Sequence, residues 1–284
     1  MTMALVLASF ATKLWHLFLS QGLLFGIGAS FVYFPAIAAP GHWFNKRRGL
    51  ALGIGASGSG LGGFYLAPLA QWAVDHLGIR YALRTLALYC FIVWLSTEGS
   101  ASASTQPDDF LSTATEAKST EKRTKWRISG RYKESAFITL VLFQCLLSSA
   151  YLAPVYFMEL YGSHIGISKQ AAASINGWFN AASFVARVVS GVVADRISSS
   201  WCLLISTWLM VLSICVLWVL SKTYTVFLLF AIVYGFTFSG VSTVMPILVI
   251  EYYGAEKAAS VLGTVYTMSS PALMLGTLVC GELL

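Results

Sequence analysis

Apolar residues in this chain form continuous runs of about 20 residues, the length an α-helix needs to cross a bilayer core of about 30 Å. The ten-residue alternation of a membrane barrel strand is not present. Eight such runs are read as spans: Leu14 to Ile37, Leu50 to Val74, Tyr81 to Ser96, Phe137 to Leu160, Ala171 to Val193, Trp201 to Leu220, Tyr224 to Ile250 and Ala258 to Leu283. A ninth, Met1 to Thr12, supplies only about 18 Å of helix and is expected to be the tail of a further span. Pro154 is expected to break the helix it enters, because it lacks the backbone N–H that a continuing turn requires.

Composition strengthens this pattern. Of 284 residues, 57% are hydrophobic and 11% charged, and mean hydropathy is +0.73, against about 25% charged residues in a soluble domain. The fold class is therefore an all-α membrane protein. Between Ser96 and Ser135 the composition turns to serine, threonine and acidic residues and then to Lys118, Lys122, Arg123, Lys125, Arg127, Arg131 and Lys133. This gives three expected regions: 1–96 as part of an N-terminal helical bundle, 97–134 as a disordered linker with a basic end, and 135–284 as a C-terminal bundle of five spans.

A net charge of +6 suggests nucleic acid at first sight, but the cations sit in the short connections between spans. There they act as orientation signals, and no nucleic-acid partner is expected. Lys46 to Arg48, the basic linker, Arg196 and Lys257 fall on one side; Lys13, Arg80, Arg84, Lys169 and Lys222 fall on the other. The richer set is assigned to the cytoplasm, and a plasma membrane is favoured over an organelle. The linker's basic end could lie against anionic lipid or serve only as an orientation signal.

The stretch W-F-N-K-R-R-G-L-A-L-G-I-G-A-S-G-S-G-L-G-G, from Trp43 to Gly63, places three cations before a run rich in small residues. On a helix Gly49, Gly53, Ala56, Ser57, Gly60 and Gly63 share one face, where another helix can approach closely. Lys46, Arg47 and Arg48, with Asp195 and Arg196 at the end of another span, are read as marking a cytoplasmic gate.

One charge stands far from both ends of its span. Arg187 is eight residues from Asp195, about 12 Å along the helix and close to mid-depth. Placing it there costs about 2.5–3.5 kcal/mol even on the lenient insertion scale. Asn176, Asn180, Ser183, Arg187 and Gly191 follow at steps of three and four, so the guanidinium belongs to a polar stripe. Either Arg187 meets an anionic substrate through forked hydrogen bonds, or it snorkels toward the cytoplasm or ties down neighbouring carbonyls. Gln144, Ser148 and Tyr151 could stand opposite, with Tyr234, Ser239, Ser242, Tyr266 and Ser269 as further candidates. Any of these could equally be ordinary helix-packing hydroxyls and amides.

Other motifs carry no chemistry. Gly53 to Gly58 satisfies G-x-G-x-x-G, but no strand precedes it. Gly55-Ala56-Ser57-Gly58 resembles an intramembrane-protease serine motif, yet His16, His42, His76 and His164 sit at span ends or loops, so no base is within reach. No metal constellation or cofactor site is read. Five scattered cysteines without a C-x-x-C pair read as free thiols.

Three stretches resemble the major facilitator superfamily, and within it the monocarboxylate-porter-like transporters. These are the Trp43–Gly63 stretch, Y-L-A-P-V-Y-F from Tyr151, and F-V-A-R-V-V-S-G-V-V-A-D-R from Phe184 to Arg196. The resemblance spans the family's helices three to eleven. It implies a major-facilitator-type bundle of two pseudo-repeat halves, here expected to be truncated at both ends, working by alternating access around a central site. Arg187 would match the family's substrate-carboxylate arginine. Ser183 stands where the family carries an acidic residue one turn earlier, and no Asp or Glu lies near the middle of any span. A carboxylate proton relay is therefore not expected.

The function expected is secondary transport of small organic anions, monocarboxylates in particular, with membrane lipid and the anion as partners and no enzymatic activity. Arg187, Asn180, Ser183, Asn176, Tyr151 and Gln144 are its candidate binding residues, and Gly49, Gly53, Gly60 and Gly63 its packing face. Two alternatives stay open: an incomplete, non-transporting relative, and a carrier of a neutral solute. Oligomeric state is not readable.

Overall fold

A computed structural model describes residues 1–44, 47–104, 130–167 and 169–282. Among them only helices and short connections occur. In chain order these are α1 (Thr2–Ser9), α2 (Leu14–Leu17), a π-helical stretch (Phe18–Leu24) leading into α3 (Phe25–Trp43), α4 (Arg48–Leu77), α5 (Ile79–Ser104), α6 (Gly130–Tyr151), α7 (Ala153–His164), α8 (Lys169–Arg196), α9 (Ser199–Leu212) with a π-helical continuation (Ser213–Trp218), α10 (Tyr224–Tyr253) and α11 (Ala255–Glu282).

Among the described residues, eight helices are long and apolar enough to cross a membrane, and each coincides with one of the eight runs of the sequence. A helix satisfies nearly all of its backbone groups internally, which is the condition for crossing hydrocarbon. The chain is a multi-pass integral membrane protein. Helix extends past the apolar runs into both ends of the connecting segment, with α5 reaching Ser104 and α6 starting at Gly130. The rest of that segment, 105–129, lies outside the described residues.

Pro154 acts as its chemistry requires. α6 stops at Tyr151 and α7 restarts at Ala153. The N–H groups of Val155 and Tyr156 both turn back to the Leu152 carbonyl, at 3.1 Å each. The Tyr151 carbonyl, which a continuous helix would have matched to the Val155 N–H, instead accepts the hydroxyl of Tyr234 from α10. Tyr234 is fully buried, so a Tyr234→Phe variant leaves that carbonyl without its donor. The expected loss is about 1–3 kcal/mol of stability, read as a lower melting temperature of the detergent-solubilised chain.

The chain divides into two compact units, 1–29 with 73–140, and 30–72 with 141–284. In the first, α1 packs on α5: Ala4, Leu5 and Ala8 are buried, as are Ala82 and Ala87. Arg84 donates to the Ser9 hydroxyl at 3.2 Å, and its guanidinium covers the rings of Phe10 and Tyr81, at 4.8 and 5.3 Å from their centroids.

In the second unit α10 is the central helix. Phe227, Phe230, Ala231 and Tyr234 along it have no exposed surface. Their rings form a ladder, Phe230 on Tyr234 at 5.2 Å and 18°, with Trp218 edge-on to Phe230 at 5.0 Å and 74°. Stacked and edge-on contacts of this kind add about 0.5–1.5 kcal/mol each beyond area burial. α8 packs along α10, where Gly235 is needed: a Cβ there would strike the Phe179 carbonyl oxygen.

Candidate functional site

The site is built on α8, held between α4 and α10 of the second unit. The glycine face of α4 meets α8 at every one of its four predicted glycines. A Cβ on Gly49 would collide with the Gly191 carbonyl, on Gly53 with the Arg187 carbonyl, on Gly60 with the Phe184 backbone at 2.8–2.9 Å, and on Gly63 with the Asn180 side chain. Gly191 returns the contact from α8 onto the Gly49 carbonyl. Removing side chains lets the two backbones touch, which is how helices gain van der Waals contact where lipid offers no hydrophobic drive.

The same seam is closed at one end by a carboxylate. Asp195 accepts the backbone N–H of Gly49 at 2.7 Å and of Leu50 at 2.8 Å. These are donors of the first turn of α4, which have no partner within their own helix. An anion there also faces the positive end of the helix dipole. Asp195 of α8 therefore caps α4 from outside, in the role an Asp N-cap usually plays from within. An Asp195→Ala variant is expected to lose about 0.5–2 kcal/mol, measured as a lower unfolding temperature, with Asp195→Asn losing less.

The neighbouring cations do other things. Arg48 donates to the Phe44 carbonyl at 2.8 Å. Arg47 and Arg196 are exposed, and Lys46 lies outside the described residues.

Arg187 is half-buried on α8. Its side chain runs back along the helix, as long helical side chains do, so that Nε faces the Ser183 hydroxyl at 3.4 Å. Ser183, buried, shares a hydrogen bond of 2.5 Å with Ser239 of α10. Tyr33 on α3 and Tyr266 on α11 are in electrostatic reach of the guanidinium and of each other. Tyr151 lies near both phenols, its ring stacked on Phe238 at 5.2 Å and 14°. Among the described residues, the hydrogen-bond partner of this guanidinium is thus a hydroxyl.

The remaining predicted residues are paired elsewhere among the described residues. Asn180 donates to the Asn176 carbonyl at 2.9 Å and to its side-chain oxygen at 3.3 Å, while its amide lies against Gly63. Gln144 is buried and donates to the Ser148 hydroxyl at 3.1 Å. Tyr33 was not singled out by sequence. A tyrosine near a span end reads as an interfacial anchor, and only the packing of α3 with α8 and α11 shows its neighbours.

A sequence profile of the Major Facilitator Superfamily matches residues 1–277. Among curated relatives, an MFS-type transporter of Gibberella moniliformis is 26% identical over 99% of this chain and 65% of its own length. Monocarboxylate transporter 12 of Mus musculus is 28% identical over 98% of the chain and 62% of its own. An aspyridones efflux protein of Emericella nidulans is 25% identical over 99% and 55%. The chain therefore spans less than two thirds of the length of the relatives it matches. With a profile match along nearly its whole length, the chain belongs to the major facilitator superfamily.

Proposed function

We propose that this chain carries small organic anions, monocarboxylates in particular, across a membrane by alternating access, without chemical conversion of its cargo. The observation that supports this most is Arg187: a guanidinium deep in a span, hydrogen-bonded to the Ser183 hydroxyl and in electrostatic reach of Tyr33 and Tyr266. An isolated cation in hydrocarbon is costly, and a visiting carboxylate offsets that cost through the fork of two charge-assisted hydrogen bonds. Similarity to a protein named a monocarboxylate transporter agrees with this reading, and similarity to an aspyridones efflux protein widens it to larger organic cargo.

In this reading Arg187 binds the carboxylate, and Ser183 holds the guanidinium in place from its bond with Ser239. Tyr151, Asn180, Asn176 and Gln144 supply the polar surroundings. The contact of Asp195 with the first turn of α4 is the cytoplasmic closure, with Lys46, Arg47, Arg48 and Arg196 fixing orientation by the positive-inside rule. The regions 1–96, 97–134 and 135–284 act as bundle, linker and bundle, and the protein resides in the plasma membrane.

Uptake into vesicles carrying the chain tests the cargo class. Labelled monocarboxylate is expected to enter saturably, with excess unlabelled carboxylate blocking entry and polyols leaving it unchanged. Block by polyols without block by acids would replace the anion with a neutral solute.

A further inference from the structure

The second unit carries a recess of about 140 Å³ between α8, α9 and α10. Val189, Ile197, Ile205, Leu209 and Phe236 line it and are each 40% to 51% exposed, so it opens outward, where a membrane-crossing helix meets hydrocarbon. Its floor lies where Gly240 of α10 lets α9 approach: a Cβ there would come within 2.9 Å of the Ser206 hydroxyl oxygen. Two polar side chains of the wall are turned to their own helices. Ser190 donates to the Arg187 carbonyl at 3.2 Å, and Thr237 to those of Val233 and Tyr234 at 3.0 and 3.1 Å. The recess therefore presents mostly carbon. From Val189 to Ile197 it follows about 12 Å of helix, most of the ~15 Å depth of one leaflet.

A cation stands at one end. Arg196 is exposed and shares a face of α8 with Val189 and Val193, seven and three residues before it. α9 starts three residues on, and its N-cap Ser198 gives the first turn no side-chain hydrogen bond, which adds partial positive charge. Asp195 and Glu251, the carboxylates of α8 and α10 at this end, are engaged elsewhere, with the first turn of α4 and with the Ser199 hydroxyl at 2.7 Å.

We propose that this recess binds one acyl chain of an anionic phospholipid whose phosphate is held at Arg196. The inference is independent of the cargo. An empty recess facing hydrocarbon forfeits dispersion contacts along its wall, so a chain fills it. Lipid tails are as apolar as the wall, so selection among lipids comes from the head group. A phosphate accepts charge-assisted hydrogen bonds from the guanidinium. A zwitterionic head group brings its own cation to the same place and gains less.

The test uses the full chain in phosphatidylcholine vesicles with a trace of phosphatidylglycerol carrying a diazirine in its acyl chain. After irradiation, adducts are mapped by peptide mass spectrometry. They are expected on Val193, Ile205 and Leu209 at least about five-fold more often than on Leu204 and Trp208, which are exposed elsewhere on α9. Unlabelled phosphatidylglycerol should displace them about three- to ten-fold better than added phosphatidylcholine. Arg196→Gln should bring that ratio close to one. Ile205→Trp, at an exposed position, should fill the recess and deplete adducts at Val193 and Leu209. Adducts as frequent on Leu204 and Trp208 as in the recess would mean ordinary surrounding lipid only, and overturn the site whatever the variants do. Equal displacement by the two lipids in the unmodified chain overturns the anionic selection, and a preference that survives Arg196→Gln overturns the placing of the phosphate.

Discussion

Arg187→Ala is expected to abolish saturable monocarboxylate binding, with at least a hundred-fold loss of affinity and the folded chain retained. Two charge-assisted hydrogen bonds at about 1.5–3 kcal/mol each make up the interaction removed, and a carboxylate left in a low-dielectric span without its cation has its desolvation uncompensated. The side chain is half-buried, and among the described residues its one side-chain hydrogen bond is the 3.4 Å contact with Ser183. Its removal therefore strands little of the chain's own polar structure. Arg187→Lys keeps the charge and loses the planar fork, so it should fall between, about ten-fold weaker than the unmodified chain. A Ser183→Ala variant frees the guanidinium from its hydroxyl neighbour and is expected to weaken binding by only a few-fold. Affinities from equilibrium binding, set beside elution profiles that report folding, check the whole series.

Substituting Gly53 by valine is expected to prevent the second unit from forming a stable fold. The added Cβ would meet the Arg187 carbonyl and, at 3.3 Å, the Gly191 Cα. Both are backbone atoms of a helix that is itself pinned against α10, so neither can step aside as a flexible side chain would. Overpacking of ordinary cores costs about 1–3 kcal/mol; a collision with backbone should reach or exceed the upper end of that range. The same helix supplies its own control, because at Gly55, Gly58 and Gly62 an added Cβ would meet nothing within 4 Å. Alanine at those positions should be tolerated, and should even favour the helix slightly, since alanine is the better helix former by about 1 kcal/mol. Thermal stability in detergent distinguishes the two sets. Equal loss for Gly53→Val and Gly55→Ala would mean that the α4–α8 contact does not govern this stretch.

What could be read from the chain before its structure follows from the range of each signal. Span number and position depend on local hydropathy, and all eight runs correspond to helices. The break at Pro154 is equally local, a missing N–H acting within one turn. Small residues announced a close helix contact on α4, but not with which helix. The partner lies more than a hundred residues away, and glycine carries no complementary mark that would identify it. The cap from Asp195 was hidden for a related reason: its oxygens are matched to backbone N–H groups, which every residue type but proline presents. Tyr33 was missed because a tyrosine near a span end is commonly an interfacial anchor, and nothing in its own neighbourhood of sequence tells the two uses apart. Arg187 was conspicuous by contrast, since a charge at mid-depth breaks the rule its span otherwise obeys.

The central claim is that position 187 faces a water-filled path open to anions. It is tested most directly by placing a single cysteine there, as Arg187→Cys in a chain whose five native cysteines have been replaced by serine or alanine. A membrane-impermeant, negatively charged thiosulfonate is expected to modify the cysteine at this position in intact vesicles. Absence of any reaction at position 187, from either side of the membrane, would contradict the account by putting this residue in a dry helix contact or among lipid tails.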